Sequence, residues 1–291
     1  MSDFNGLSHI INEIDCKNIS IDDIRNYGQK PEYRTAGNFL ACKWARPSAV
    51  YGTWMALRIG LSAHQITTLA ALSWFAEAIC ISIGTRFWFS IGVSLGFLGF
   101  WLDHVDGQLA RITKNQSLEG IFLDFWVHTA HAILRAFGLG WGLYQITGND
   151  LAILSGMGAA FGWTMISHSN DSKYKAMNAY LHSAKTNYMT QSKDQTFSPS
   201  NPIFKNSSNL IALINWPLLK MQEPHMVLMA ELIICLLMWF SLQLGIKIWL
   251  LVMIFWSTVS PLCAILRLIR YVKSGRITAD FFSTFSKQSG D

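Results

Sequence analysis

From Phe87 to Leu102 the chain is almost purely apolar, and then, with no break in the run, come Asp103, His104, Asp106 and Arg111. A short polar stretch, Ile112 to Glu119, carries Thr113, Lys114, Asn115 and Ser117, and beyond Gly120 the chain turns apolar again. The pattern predicts two hydrophobic helices joined by a polar turn. Asp103 and Asp106, three apart, fall on one face of the first helix, and Asp124 and His128, four apart, on one face of the second. The two pairs are expected to face each other. Ionisable groups at the ends of apolar helices are costly unless they bind something, so this position reads as a functional site.

Hydrophobic residues make up 51% of the 291 and charged ones only 14%, which argues against a soluble chain. The expected fold is all-α, a polytopic membrane protein with six transmembrane helices and an N-terminal interfacial amphipathic helix. Six runs near the roughly 20 residues needed to cross a hydrocarbon core lie at 65–84, 87–108, 118–146, 150–168, 225–244 and 247–269. Tight hairpins are expected at Gly84-Thr85-Arg86, Thr147-Gly148-Asn149 and Gly245-Ile246-Lys247. Arg46, Arg58, Arg111, Lys114, Lys173, Lys175, Lys220, Arg267, Arg270, Lys273 and Arg276 gather on one side of these spans, and Arg86 and Lys247 on the other. Both termini and the acidic site are therefore expected at the cytoplasmic face. The five cysteines have neither metal nor disulfide spacing and read as reduced packing residues.

Residues 1–32 are polar and read as a loosely docked cytoplasmic arm, without the basic and then apolar pattern of a cleavable signal peptide. In 33–60, Arg34, Lys43, Arg46 and Arg58 are interleaved with Phe39, Trp44, Tyr51, Trp54 and Met55, as in a helix lying at the headgroup boundary. Its place directly before the first span favours anionic lipid over nucleic acid. The membrane domain fills 61–270, with residues 169–222 as a polar cytoplasmic loop, and 271–291 form a cytoplasmic tail.

The pattern Asp103-x2-Asp106-Gly107-x2-Ala110-Arg111-x8-Gly120-x3-Asp124 resembles the signature of the CDP-alcohol phosphotransferase family, with His128 where that family has a fourth aspartate. Ser62-Ala63-His64-Gln65-Ile66-Thr67 is similar to the family's Ser/Thr-Pro-Asn-x-x-Thr entry to its first membrane helix, with Ala63 and His64 replacing Pro and Asn. The likeness covers residues 33–167. It implies a membrane enzyme that transfers a phosphoryl-alcohol or phosphatidyl group from a CDP-alcohol to an acceptor hydroxyl, with release of CMP, in phospholipid or phosphodiester biosynthesis. On the resemblance, Asp103, Asp106, Asp124 and His128 hold two divalent ions, Mg²⁺ or Mn²⁺, and His128 also takes the proton of the attacking hydroxyl. Asp103, Gly107, Ala110, Arg111, Gly120 and Thr67 would meet the nucleotide and its diphosphate, and Arg135, Arg267 and Arg270 an acceptor phosphate. The implied partners are the CDP-alcohol donor, the acceptor, membrane lipid and a second copy of the chain, with no nucleic acid.

The residue chemistry has its own logic. Carboxylates offer the hard oxygens that Mg²⁺ and Mn²⁺ take together with phosphate oxygens, and Arg111 can pair with phosphate. An ion pair with Arg111 or Lys114 would equally account for any single aspartate. A neutral imidazole, with an unperturbed pKa of about 6.5, suits proton abstraction. As a ligand it alters the charge balance: two divalent ions (+4) against three carboxylates (−3) leave +1, and a nitrogen donor favours Mn²⁺ or Zn²⁺. For Arg135 a pairing with Glu77 or Glu231, both odd inside apolar runs, is an equal reading, and His64 reads as the cap of the first span or, on the resemblance, as a nucleotide contact. Two further readings share these residues: a catalytically inactive relative that binds nucleotide or lipid, and an intramembrane prenyltransferase whose aspartates hold Mg-diphosphate.

Overall fold

The computed structural model of the chain describes residues 19–29, 38–114, 116–190, 217–273, 277–278 and 280–281. Among the described residues the fold is all-helical, without a strand. Helix α1 (Ile21–Tyr27) and helix α2 (Arg46–Ile59), the latter entered through a π-helical turn at Ala41–Ala45, precede six longer helices. These are α3 (Ala63–Ser82), α4 (Arg86–Ile112), α5 (Leu118–Thr147), α6 (Asp150–Thr190), α7 (Pro224–Phe240) and α8 (Leu242–Lys273). By length and composition α3 and α8 are long and apolar enough to cross a membrane, and α7 is apolar but shorter.

The helix starts are legible as caps. Ser62 Oγ accepts from the Gln65 N–H at 3.3 Å, and Gln65 Oε1 accepts from the Ser62 N–H at 2.9 Å, a capping box that opens α3. The cap is therefore Ser62 and not His64, which sits inside the first turn. Thr85 and Ser117 cap α4 and α5 through the N–H groups of Trp88 and Gly120, at 3.4 and 3.0 Å. Gly148 ends α5 at φ +63°, in the left-handed region that glycine enters without steric cost.

Close packing of α5 on its neighbours rests on glycine. A Cβ on Gly138 would stand 2.6 Å from the Ala78 carbonyl oxygen of α3, and one on Gly140 would stand 2.8 Å from Gly156 of α6. Such backbone approach brings many atoms of neighbouring helices into van der Waals contact. Phe89, Leu139, Leu143, Trp249, Met253 and Trp256 fill the core between the long helices. A second cluster joins Val50, Ala56 and Leu57 of α2 to Val105, Leu109 and Ile112 of α4.

Three further expectations change. The polar arm 1–32 is not loose where it is described: Ile24 of α1 is fully buried in the second cluster. The rest of that arm lies outside the described residues. The loop expected at 169–222 begins as helix, because no glycine or proline interrupts the chain between Gly162 and Thr190, and α6 runs on to Thr190. Residues 191–216 lie outside the described residues. The last hairpin turns at Ser241, whose Oγ accepts from the Leu244 N–H at 3.4 Å. Gly245 is a packing residue inside α8, where a Cβ would stand 2.6 Å from the Met238 backbone nitrogen.

Candidate functional site

The chain reverses at Gly84, so the start of α3, the end of α4 and the start of α5 meet at one end of the bundle. There Asp103 of α4 faces Asp124 and His128 of α5. His128 Nε2 lies 3.1 Å from Asp103 Oδ1 and 3.3 Å from Asp124 Oδ1. One donor atom from each of the three lies within 4.8 Å of the others. On an octahedral ion with bonds of about 2.1 Å, ligand atoms stand about 3 Å apart when adjacent and about 4.2 Å when opposite, so modest side-chain rotation closes this group on a cation. Two carboxylate oxygens and an imidazole nitrogen suit a hard or borderline divalent ion. The side chains are 23, 42 and 38% exposed for Asp103, Asp124 and His128, open enough for a phosphate to reach. The two roles expected of His128 compete: a metal-bound Nε2 has no lone pair left for a proton.

Asp106 is a close neighbour of this group, with a further partner on α3. Its Oδ2 accepts from Thr67 Oγ1 of α3 at 2.7 Å. Three residues along a helix turn by about 300°, so Asp106 lies about 60° round from Asp103, on the side of α3. Thr67, expected at the nucleotide, is thereby engaged with Asp106. Gly120, also expected there, makes room for His64, whose Cε1 would be 2.9 Å from a Cβ at that position.

On the far side of Asp103 lies a crevice of about 220 Å³ lined by Gln29, Arg46, His104, Gly107, Gln108 and Arg111. Arg111 Nε donates to the Gly28 carbonyl at 2.6 Å, and its guanidinium lies beside Gly107, where a Cβ would be 3.2 Å from Nη1. Ala110, half-buried, continues the same face. Arg46 is the member that the motif does not contain. It arrives because α2 packs along α4, where Gln108 Nε2 donates to the Arg46 carbonyl at 3.1 Å. Its only sequence signal is a basic residue before Pro47 at a helix start.

Deeper in the bundle, Arg135 is 4% exposed and committed. Its Nε donates to Glu231 Oε1 at 2.6 Å, Nη2 donates to Glu231 Oε2, and Nη2 lies 3.2 Å from Glu77 Oε1. Arg135 is thus an interior ion-pair residue, and it also borders the cavity beside His128. Arg267 Nη1 donates to the Ile166 carbonyl and to Asn170 Oδ1, at 3.2 and 2.9 Å. Together with His128, Thr129 and Trp163 it lines a cavity of about 380 Å³. Arg270, one turn on, is not among that cavity's lining residues.

No family model matches the chain, and none of the curated proteins compared with it matches.

Proposed function

We propose that this chain is a multi-pass membrane transferase of the CDP-alcohol phosphotransferase type, which moves a phosphoryl-alcohol or phosphatidyl group from a CDP-alcohol to an acceptor hydroxyl and releases CMP. The observation that carries the reading is the meeting of Asp103, Asp124 and His128 from two helices, their donor atoms within 4.8 Å, beside a crevice holding Arg46 and Arg111. An acidic group next to a basic crevice is what a cation and a diphosphate require together. A divalent ion held there, Mg²⁺ or Mn²⁺, would neutralise the diphosphate and polarise the phosphorus. The motif implies a second ion, for which Asp106 is the remaining carboxylate.

In this reading Arg111 and Arg46 take phosphate oxygens, and Gly107 leaves the backbone open to them. The acceptor sits in the cavity beside His128 and Arg267. Its hydroxyl attacks the phosphorus distal to cytidine, the bond from that phosphorus to the CMP oxygen breaks, and the proton passes to a carboxylate oxygen of the acidic group. Because Nε2 lies between two carboxylates, we assign His128 to the ion instead of to that proton.

The six helices α3–α8 are the membrane spans, with the site at the cytoplasmic face where Arg46, Arg58, Arg111 and Lys114 lie. Exposed Phe39, Trp44, Tyr51, Met55 and Ile59, with Lys43 and Arg58, support a headgroup position for α2 and its leading turn. The test is incubation of the purified protein with a panel of CDP-alcohols and Mn²⁺ or Mg²⁺. Release of CMP that depends on an acceptor supports the reading. Binding of CMP with no turnover on any alcohol would point to an inactive relative, and pyrophosphate release from a prenyl diphosphate to a prenyltransferase.

A further inference from the structure

Beside the acidic group, Trp74 of α3 is held against two imidazoles of α5. Its indole lies parallel to His131, with 7° between planes and 4.7 Å between centroids, and meets His128 at 5.0 Å and 49°. Trp74 is 5% exposed. On the α4 side Gly99 leaves the space it occupies, since a Cβ there would stand 2.5 Å from Trp74 Cδ1 and 2.6 Å from Nε1.

His131 is itself fixed. Its Nε2 lies 2.8 Å from Glu77 Oε2, Glu77 is ion-paired with Arg135, and Arg135 is clamped by Glu231 of α7. Glu77 and Glu231 are both fully buried. Broken ion pairs in such surroundings are costly, so the chain from Glu231 to His131 behaves as a rigid base for the indole. His128 has far less support. Among the described residues its polar contacts are at Nε2, and rotation about its side-chain bonds would swing that nitrogen out from between the carboxylates. The flat face of Trp74 lies against the ring and opposes such rotation.

We propose that Trp74 is a positioning residue for the metal ligand His128: seated on the fixed His131, its indole holds the imidazole with Nε2 turned toward Asp103 and Asp124. This rests on the metal-holding reading of the site. Hydrogen-bonding groups that orient metal-bound imidazoles contribute about 10–100-fold to metal affinity, and for Trp74, which acts by ring contact, an effect at the low end, about tenfold, is expected.

The test is Mn²⁺ binding by the full chain in lipid nanodiscs, read from the electron paramagnetic resonance of free Mn²⁺. Trp74→Phe, Trp74→Leu and Trp74→Met are compared in the wild-type and His128→Ala backgrounds, with thermal unfolding as the control for folding. Leu and Met keep apolar volume without a flat ring, and two such variants guard against one that fails to fold. Trp74→Phe is expected to bind within about threefold of wild type, and Trp74→Leu and Trp74→Met about tenfold or more weakly. In the His128→Ala background the same substitutions should change nothing further, because the ligand through which Trp74 acts is gone. Wild-type affinity in Trp74→Leu and Trp74→Met, or an equal loss in both backgrounds, overturns the assignment. Absence of Mn²⁺ binding in the wild type would instead remove the metal reading itself.

Discussion

His128 of α5 turns Nε2 toward Asp103 of α4 across 3.1 Å, so the residue that stands where the resembled signature has its fourth aspartate lies at a contact between the two helices. An aspartate there would bring a third carboxylate into the group. The imidazole brings instead a ring nitrogen, a metal donor once it has lost its proton, and a ring face in contact with Trp74.

Metal preference follows from that exchange. Nitrogen donors shift a site from Mg²⁺ toward Mn²⁺ and Zn²⁺. His128→Asp is expected to raise Mg²⁺ affinity relative to Mn²⁺, and His128→Ala to weaken both by about tenfold or more. Competition titration with the two ions checks this, and an unchanged preference in His128→Asp would contradict it.

Stability depends on the buried pair of Arg135 with Glu231 and Glu77. Arg135→Met leaves two carboxylates without their cation and is expected to destabilise the bundle by about 3–5 kcal/mol. Combining it with Glu77→Gln and Glu231→Gln should recover part of that loss, since no unpaired charge then remains. Equilibrium unfolding in mixed micelles reads both. A single substitution within about 0.5 kcal/mol of wild type would show the pairing to be incidental.

The arginines should separate by role. Charge-assisted hydrogen bonds contribute about 1.5–3 kcal/mol each, so under the proposed function Arg111→Ala is expected to raise the KM for the CDP-alcohol about 10-fold to 100-fold. Arg267→Ala should act on the acceptor's KM instead. Arg270→Ala should leave both unchanged, because Arg270 does not line the cavity beside His128. Steady-state kinetics with each substrate varied in turn distinguishes them, and equal effects of all three would contradict the placement of the two subsites.

Helix spacing gives a prediction independent of chemistry. Gly140 lies so close to Gly156 that a larger side chain must push α5 and α6 apart. Gly140→Val is expected to destabilise by about 1–3 kcal/mol through overpacking. Thermal unfolding measures it, and a wild-type midpoint would mean the helices have room that their backbones do not show.

Local periodicity carried much of the site. The spacing from Asp124 to His128 placed both on one face, and apolar run length placed α3, α4 and α5 within a few residues of their ends. Spacing alone also grouped Asp106 with Asp103, but it did not show what else Asp106 meets. The rotation of about 60° between them is set by helix geometry, but that α3 would offer Thr67 on that side is a matter of packing. The hold of Gly28 on Arg111, the arrival of Arg46 and the seat of Trp74 between helices are long-range contacts, with no period to announce them. The turn expected at Gly245 failed for a related reason: a glycine that ends a helix and one that admits a neighbouring side chain look the same until Met238 is seen against it.

The most direct measurement is Mn²⁺ binding to the wild type and to Asp103→Asn, Asp124→Asn and His128→Ala in nanodiscs. A shared ion requires that the wild type bind and that each substitution, made alone on either helix, weaken binding about tenfold or more. Equal affinity in all four proteins would show that these side chains do not hold a common cation.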